Sequence, residues 1–278
     1  MAGSKSNGLP AVDLAHGVLN KFLFCVVLVT VTLLFVASQP RRSIEMKIMS
    51  FNIRHGEDIN EQSNLRGILK VIEEQKPDLV ALQAVDSLIG DGKVQFQLRQ
   101  LAIQTGMHYT YGVADRSANG SQGIGILSAW PFEKTQILPL PTTPGSDPKV
   151  LLCGLIRHSR YLTFRFCNAR LEYASVIDRA LQAAYINQIL AGSVQPVVLG
   201  MDMGARPNEQ PYFSFRKRWR DAAQGSQLET WNQGLPGDRL DYIFVLLNNK
   251  VRVKSYKVIR SYPEVSDHYP IVANIEFW

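Results

Sequence analysis

Residues 196–207 read Pro-Val-Val-Leu-Gly-Met-Asp-Met-Gly-Ala-Arg-Pro, and this stretch decides the fold. Its apolar run predicts a short buried strand, and the Gly204 and Pro207 that follow predict a turn. Asp202 therefore lies where a buried strand ends. A carboxylate at the end of such a rigid element is a candidate functional residue.

Further segments along the chain pair an apolar run with polar residues in the same way. They are Met46–Ile53 with Asn52, Pro77–Asp86 with Gln83, Gly123–Ser128, Phe166–Glu172 with Asn168, Arg239–Phe244 with Asp241, and Ser266–Val272 with Asp267 and His268. Together with residues 196–207 they resemble, in order and spacing, the motifs of the endonuclease/exonuclease/phosphatase family. Its members are metal-dependent phosphodiesterases related to DNase I, and the resemblance runs from about Lys47 to the C-terminus.

The resemblance implies an α/β fold, a four-layer α/β sandwich with two packed mixed β-sheets flanked by helices. The residue patterns agree with this architecture. Strands are predicted at 149–156, 161–167, 197–201, 240–245, 251–258 and 271–277. Helices are predicted near Leu65–Ile72 with Asn60 or Ser63 as the cap, at Gln95–Thr105, and at Ser175–Ala191 with Ile177, Ala180, Leu181 and Ala184 facing inward.

The resemblance also implies roles for the residues that match it. The catalytic set is Asp202, which orients or deprotonates the attacking water, the Asp241–His268 pair, and the amide of Asn168. Asn52 is the matching phosphate-binding amide, and Asp267 and Asp202 match acids that can contact Mg²⁺. The null hypothesis is that these polar groups persist because they satisfy one another's hydrogen bonds.

Three positions depart from the family's pattern. Ala84 replaces the principal metal-binding Glu, Arg170 replaces a His that donates a proton, and Gly204 replaces an Asn. Arg170 cannot donate a proton, but it can bind a phosphate bidentately or offset the charge of nearby carboxylates without metal. Asp86 can stand in for the missing Glu only if its strand bends, because two residues along a strand span about 6–7 Å.

These departures lead to two competing predictions about function. The first is a membrane-anchored, catalytically inactive binding or scaffold subunit that needs no cofactor and acts through protein partners or a phosphate-bearing ligand. The alternative is an active Mg²⁺-dependent phosphodiesterase with a rearranged metal site, which acts on a lipid or inositol-phosphate head group rather than on nucleic acid. The net charge of +6 fits either, because it favours phosphate-bearing partners and anionic surfaces without identifying one.

The N-terminal region differs from the rest of the 278-residue chain. We divide it into a polar segment (1–20), an apolar segment (21–38) whose residues 22–37 carry no charge, and a linker (39–45), followed by the domain (46–278). The apolar segment predicts a single transmembrane helix, with a cleaved signal peptide as the alternative. Basic residues after it slightly favour a cytosolic domain, whereas cleavage would make the domain secreted or lumenal.

Three other features carry predictions. Cys153 and Cys167 are expected to be cross-strand neighbours with free, buried thiols. Residues 212–220, Tyr-Phe-Ser-Phe-Arg-Lys-Arg-Trp-Arg, are predicted as a helix with inward aromatic rings rather than a nucleic-acid surface. Asp238 is predicted in an exposed turn.

Overall fold

The computed structural model describes Gly3, Lys21, Phe24 and residues 43–278 apart from 91–92, 227, 234–237 and 248–250. The predicted transmembrane segment, polar segment and linker therefore lie mostly outside the described residues. No helix within the described part of the chain has both the length and the apolar character needed to span a membrane. Residues 43–278 form one compact unit.

Thirteen strands and four helices make up the described part of this unit. The strands are β1 Ile44–Asn52, β2 Leu79–Gly90, β3 Lys93–Phe96, β4 His108–Ser117, β5 Gly120–Ser128, β6 Phe132–Pro139, β7 Val150–Ser159, β8 Leu162–Arg170, β9 Val197–Asp202, β10 Trp219–Asp221, β11 Asp241–Leu246, β12 Val251–Val258 and β13 Ile271–Phe277. The helices are α1 Leu65–Gln75, α2 Gln97–Thr105, α3 Val176–Leu190 and α4 Gln210–Arg216, and a 3₁₀ turn spans Arg54–Gly56.

The strands form two mixed sheets. One has the order β12-β13-β1-β2-β5-β4 with β3 paired to β2, and the other has the order β10-β11-β9-β8-β7-β6. Parallel pairs occur at β1–β2 and β8–β9, and the remaining pairs are antiparallel. The six strands predicted from residue patterns are all present.

The two sheets pack face to face with helices outside. Ile48 and Ala81 of one sheet share a buried apolar cluster with Phe164, Phe166 and Ile243 of the other. A second cluster joins the outer face of the β9 sheet to α3 and α4, and a third joins the other sheet to α1 and α2. Burial of these side chains is the main driving force for this arrangement, and it confirms the predicted α/β sandwich.

One glycine lets the sheets approach closely beside the strand ends that matter below. A Cβ added at Gly200 of β9 would lie 2.6 Å from the Cβ of Ala81 and 3.2 Å from that of Ser50. Contacts this short force neighbouring atoms to move, so only glycine fits here without adjustment. The close approach brings the end of β9 next to the end of β1.

The face of α3 is reversed relative to the prediction. Ile177 and Leu181 are exposed, whereas Asp178 and Gln182 are buried. The reason is tertiary hydrogen bonding: Gln182 accepts from the Glu172 amide and donates to the Pro141 carbonyl. Buried polar groups with such partners can outweigh the apolar periodicity of a short helix.

Two other local predictions were wrong. Asn64, rather than Asn60 or Ser63, caps α1, because its side chain accepts from the Gly67 amide. The α2 helix begins at Gln97 rather than Gln95, because the preceding residues form β3.

The prediction of free thiols was also wrong. Cys153 and Cys167 are directly opposite in the β7–β8 register, and they form a disulfide bond. The cross-strand pairing itself was predicted. It brings the two Cα atoms to 4.1 Å, close enough for the sulfur atoms to bond.

Candidate active site

The predicted site residues lie at the ends of neighbouring strands. In the second sheet, Asp202 at the end of β9 pairs in register with Asp241 on one side and Arg170 on the other. Asn52 ends β1 in the facing sheet, and His268 precedes β13. The two sheet edges therefore form one polar site, because the sheets are packed closely at Gly200.

Asp241 and His268 form a buried ion pair. The Nδ1 atom of His268 lies 2.8 Å from Oδ2 of Asp241, and the two side chains are 9% and 1% exposed. Burial lowers the pKa of His268, but the charges of Asp241, Asp202 and Asp267 outweigh it and raise that pKa to about 9. Burial raises the pKa of Asp241. The carboxylate thus fixes the imidazole orientation, as expected of an Asp–His pair.

Asn52 and a turn glycine hold Asp202 in place. Nδ2 of Asn52 donates to Oδ2 of Asp202 at 2.9 Å and lies 3.4 Å from Nε2 of His268. The other carboxylate oxygen accepts from the Gly204 amide at 3.0 Å. Gly204 has a φ of 59°, a left-handed conformation that Gly and Asn tolerate better than other residues. The replacement of the expected Asn therefore keeps the turn and loses only the side-chain amide.

Asn168 is buried behind the site instead of facing it. Its Nδ2 donates to the carbonyls of Leu82 and Gly125, at 2.8 and 2.7 Å, and its Oδ1 accepts from Gln83 at 2.8 Å. Gln83 also donates to Ser50 Oγ at 3.1 Å. These bonds link the two sheets, so the amide groups of Asn168 are already used within the protein. This geometry gives Asn168 a positioning role.

Ala84 occupies a bulge in β2 next to Arg170. Gln83 and Ala84 together stand opposite the single residue Ile124 of β5, and Ala84 has a left-handed φ of 52°. Ala84 and Arg170 line the same small cavity, of about 30 Å³. The guanidinium of Arg170 thus lies beside the position where the resemblance expects a metal-binding carboxylate.

Arg170 contacts Asp202 and keeps part of its guanidinium free. Its Nε is 3.5 Å from Oδ2 of Asp202, and its side chain is 34% exposed. Among the described residues, no hydrogen-bond acceptor is bound to its two terminal amino groups. An exposed guanidinium fork of this kind matches the geometry of a phosphate group.

A second arginine, which the sequence analysis missed, faces the other predicted metal ligand. Nε of Arg54 lies 3.6 Å from Oδ2 of Asp267. Each of its terminal nitrogens makes a hydrogen bond within the protein, to the carbonyl of Asp58 and to the carboxylate of Glu61. The only sequence feature that could have identified Arg54 as a site residue is its position just after the strand that ends near Asn52 and Ile53.

Asp86 does not replace the missing Glu. The strand does bulge at Ala84, but Asp86 then pairs with His55, whose Nδ1 lies 2.9 Å from Oδ1 of Asp86. Gln97 holds both residues, because it donates to the His55 carbonyl and accepts from the Asp86 amide. The carboxylate of Asp86 is therefore committed to a separate pair.

The site provides only some of the ligands that a metal ion would need. Asp202, Asp241 and His268 offer ligand atoms within 4.8 Å of one another, so this group could bind a metal. Mg²⁺ prefers oxygen ligands and water. Both oxygens of Asp202 already accept protein hydrogen bonds, and Arg170 lies beside it. With Ala84 in place of Glu, these residues do not complete the magnesium site that the resemblance implied.

Two further sequence predictions are resolved nearby. Asp238 was predicted to be exposed but is 4% exposed, because it forms a two-point ion pair with Arg206. The helix predicted for residues 212–220 ends at Arg216, and Trp219 begins β10 instead. Tyr212, Phe215 and Trp219 are buried as predicted, while Phe213 is exposed. Nucleic-acid binding by this segment is untested.

Comparisons with known proteins agree with the fold. The sequence profile of the Endonuclease/Exonuclease/phosphatase family matches residues 49–268. A family protein from Beutenbergia cavernae has a TM-score of 0.70 and 20% identity, and the alignment covers 84% of this chain and 72% of that one. The human Nocturnin catalytic domain with bound sulfate has a TM-score of 0.67 and 18% identity, covering 87% of this chain and 100% of that one.

A mannosyl-6-phosphatase from Bacteroides thetaiotaomicron is similar in structure as well. Its TM-score is 0.64 at 16% identity, over 83% of this chain and 99% of the phosphatase. No curated protein matches the sequence. Identities this low show a shared fold alone, whereas the family profile spans most of the chain. The chain therefore belongs to the endonuclease/exonuclease/phosphatase family.

Proposed function

We propose that this member of the endonuclease/exonuclease/phosphatase family binds a phosphate ester at its former catalytic site and does not hydrolyse it. The observation that carries the proposal is the guanidinium of Arg170, which lies against Asp202 beside Ala84. The positive charge of Arg170 neutralises the Asp202 carboxylate, as a metal ion would. A guanidinium cannot activate a water molecule for attack, because it does not coordinate water as a metal ion does.

The same arrangement favours an anionic ligand. Arg170 lies beside Asp202, and Arg54 is shared between Asp267 and Glu61, so each of the two site carboxylates has an arginine next to it before any ligand binds. The terminal nitrogens of Arg170 are then available to a phosphate, with the Asn52 amide nearby. The sulfate bound to the structurally similar human Nocturnin domain shows that this fold can hold such an anion.

We further propose that an N-terminal transmembrane helix, residues 21–38, anchors a four-layer sandwich domain to a membrane. The uncharged apolar run supports this part of the proposal. A fixed anchor suits a ligand on a lipid or a membrane protein better than a freely diffusing one. In this role the domain acts as a binding or scaffold subunit, with protein partners of its own.

The alternative is an active metal-dependent phosphodiesterase with a rearranged site. It is favoured by the intact Asp241–His268 pair and by the cluster those residues form with Asp202. In that case a bound metal would supply charge neutralisation, and the Asp241–His268 pair would hold or move a proton at Nε2. Asp202 would be a ligand of the metal or would orient the attacking water.

The deciding experiment uses the purified full chain in a neutral detergent. Phenyl phosphate binding is measured by calorimetry in EDTA and in Mg²⁺, and hydrolysis of bis(p-nitrophenyl) phosphate is followed with Mg²⁺ or Mn²⁺. We expect binding that EDTA leaves unchanged, and hydrolysis no faster than that of an Asp202→Asn control. Metal-dependent hydrolysis that Asp202→Asn abolishes would establish the alternative.

A restored variant tests why hydrolysis is absent. The triple substitution Ala84→Glu, Arg170→His and Gly204→Asn returns all three departures to the family's pattern. The backbone permits the last one, because φ at Gly204 suits Asn and an added Cβ meets nothing closer than 3.6 Å. We expect this variant to bind Mn²⁺ more tightly than the natural chain. Unchanged Mn²⁺ affinity would show that more than these three positions has been lost.

A further inference from the structure

A cavity on the opposite side of β11 from the candidate active site is rich in arginine. It lies between α4, β10 and β12, has a volume of about 720 Å³, and is lined by Arg216, Arg220, Arg239 and Arg252 among others. Tyr212 and Trp219 contribute aromatic side chains to its wall.

The floor of the cavity contains a buried guanidinium with an unused donor. Arg239 is fully buried, and its Nη2 donates to both oxygens of Asp221 at 2.5 and 2.6 Å. Its Nη1 donates to the Ser226 carbonyl, and the group stacks 4.4 Å from the Tyr242 ring. The Nε atom makes no hydrogen bond to a described residue, and it is itself buried. Arg239 therefore forms the floor of the cavity through its ion pair with Asp221, and the exposed arginines above it provide the charge that a ligand would meet.

Two arginines at the mouth of the cavity have uncompensated charge. In the region that the structure describes, no carboxylate lies within 4.0 Å of Arg216 or Arg220, and both residues are exposed. The other two cavity arginines are paired: Arg239 with Asp221, and Arg252 with Glu276. The cavity therefore carries an excess of two positive charges, which attracts an anion.

The cavity lies near the end of the domain at which the chain enters it. Arg252 pairs with Glu276, which also accepts a hydrogen bond from Ser43, the residue just before β1. Only residues 39–43 separate the predicted transmembrane segment from β1, and five extended residues span at most about 18 Å. An anchor ending at residue 38 would keep this part of the domain within reach of lipid headgroups.

We propose that this cavity binds the phosphate of an anionic phospholipid headgroup. The inference relies on the proposed membrane anchor for the source of the lipid, and it is independent of the phosphate site at Arg170. Arg216 and Arg220, which are exposed at the mouth of the cavity, bind the headgroup phosphate. The occupied cavity would fix how the domain sits on the bilayer, beyond the tether that the anchor alone provides.

The test uses the full chain in a neutral detergent and short-chain lipids. Affinity for dioctanoyl phosphatidylglycerol is compared with that for dioctanoyl phosphatidylcholine by fluorescence titration at physiological salt. The variant is Arg216→Gln with Arg220→Gln, and the matched control is Lys217→Gln with Arg218→Gln, which changes the net charge equally at exposed residues that do not line the cavity.

We expect the anionic lipid to bind at least 10-fold more tightly than the zwitterionic one. The cavity variant should lose about 30-fold in affinity, corresponding to about 1 kcal/mol for each arginine, and the control less than threefold. Equal loss in both variants, or equal affinity for the two lipids, would refute the proposal.

Two further probes distinguish a lipid site from a site for free phosphate and from a nucleic-acid surface. Glycerol phosphate that binds as tightly as the lipid would mean a site for free phosphate. A 20-nucleotide RNA that binds more tightly, with the same arginine dependence, would mean a nucleic-acid surface. Arg170→Gln separates this site from the former catalytic site, because it should weaken phenyl phosphate binding and leave lipid affinity unchanged.

Discussion

Replacement of Arg170 by Gln should abolish most of the proposed phosphate affinity at the candidate active site. The substitution removes the exposed fork and keeps a side chain of similar length. Two charge-assisted hydrogen bonds of about 1.5 kcal/mol each amount to about 3 kcal/mol, a loss of about 100-fold in affinity. The side chain is 34% exposed, and solvent screening reduces such contributions. We therefore expect a loss of between about 10-fold and 100-fold.

The loss of the Arg170 charge also makes the site less favourable for a phosphate. Without Arg170, Asp202 has no arginine beside it among the described residues, and the added net negative charge repels a phosphate. The same charge attracts a divalent cation. Arg170→Gln should therefore weaken phenyl phosphate binding while it strengthens Mn²⁺ binding, and these opposite signs exclude a general loss of folding.

Calorimetric titration of the full chain with phenyl phosphate in EDTA, and separately with Mn²⁺, measures both effects. Arg170→Lys keeps the charge without the fork, so its phosphate affinity should be intermediate. Arg157→Gln is the matched control, because Arg157 is an exposed arginine of β7 that also pairs with a carboxylate, that of Glu133. Wild-type phosphate affinity in Arg170→Gln would refute the proposed role of this residue.

Three further predictions concern the stability of the fold. Removal of the disulfide by Cys153→Ala with Cys167→Ala should lower the midpoint of thermal unfolding by about 6–12 °C, because a loop of about 15 residues contributes about 3 kcal/mol. Arg239→Met should lower the free energy of unfolding by about 3–5 kcal/mol in denaturant titrations, because it leaves a buried carboxylate unpaired. Hydrogen bonds from Ser146 and its neighbours hold the pKa of Asp178 below its ordinary value. That carboxylate therefore stabilises the fold above about pH 4, and the stabilisation is lost as the pH falls through the lower folded pKa. Asp178→Asn should remove this part of the acid dependence; unfolding curves of equal pH dependence would contradict it.

The sheets were predictable from the sequence because their signal is local. A buried strand such as 197–201 is an apolar run bounded by turn residues, and its burial on both faces hardly depends on which strand lies beside it. The motif order then placed Asn52, Asp202, Asp241 and His268 at strand ends, and the structure brings their side chains together.

Three of the errors share a different cause, namely polar groups whose partners are distant in sequence. Gln182 is buried in α3 because its partners are Glu172 and a loop carbonyl, which no helical periodicity reveals. Asp238 is buried because Arg206 lies 32 residues earlier. Arg54 was missed for the same reason, since its contact with Asp267 spans most of the domain.

The disulfide bears on the side of the membrane at which the domain lies. The sequence slightly favoured the cytosol, on the basis of a small excess of basic residues after the apolar segment. A disulfide between buried cysteines is typical of oxidising compartments and rare in the cytosol. Asn119 of the sequon Asn119-Gly120-Ser121 lies in an exposed turn just before β5, where a glycan can be attached. Both features favour a lumenal or extracellular domain.

Counting the free thiols of the full chain, purified from cells without reductant, decides between the two orientations. The sequence contains three cysteines, and the third, Cys25, lies in the apolar segment. After denaturation without reductant, a maleimide reagent should add three labels if Cys153 and Cys167 are reduced. If they are bonded it should add one label, or none where a cleaved signal peptide has removed Cys25. Three labels would support a cytosolic domain. One label or none would support an oxidising compartment, against the orientation that the small excess of basic residues suggested.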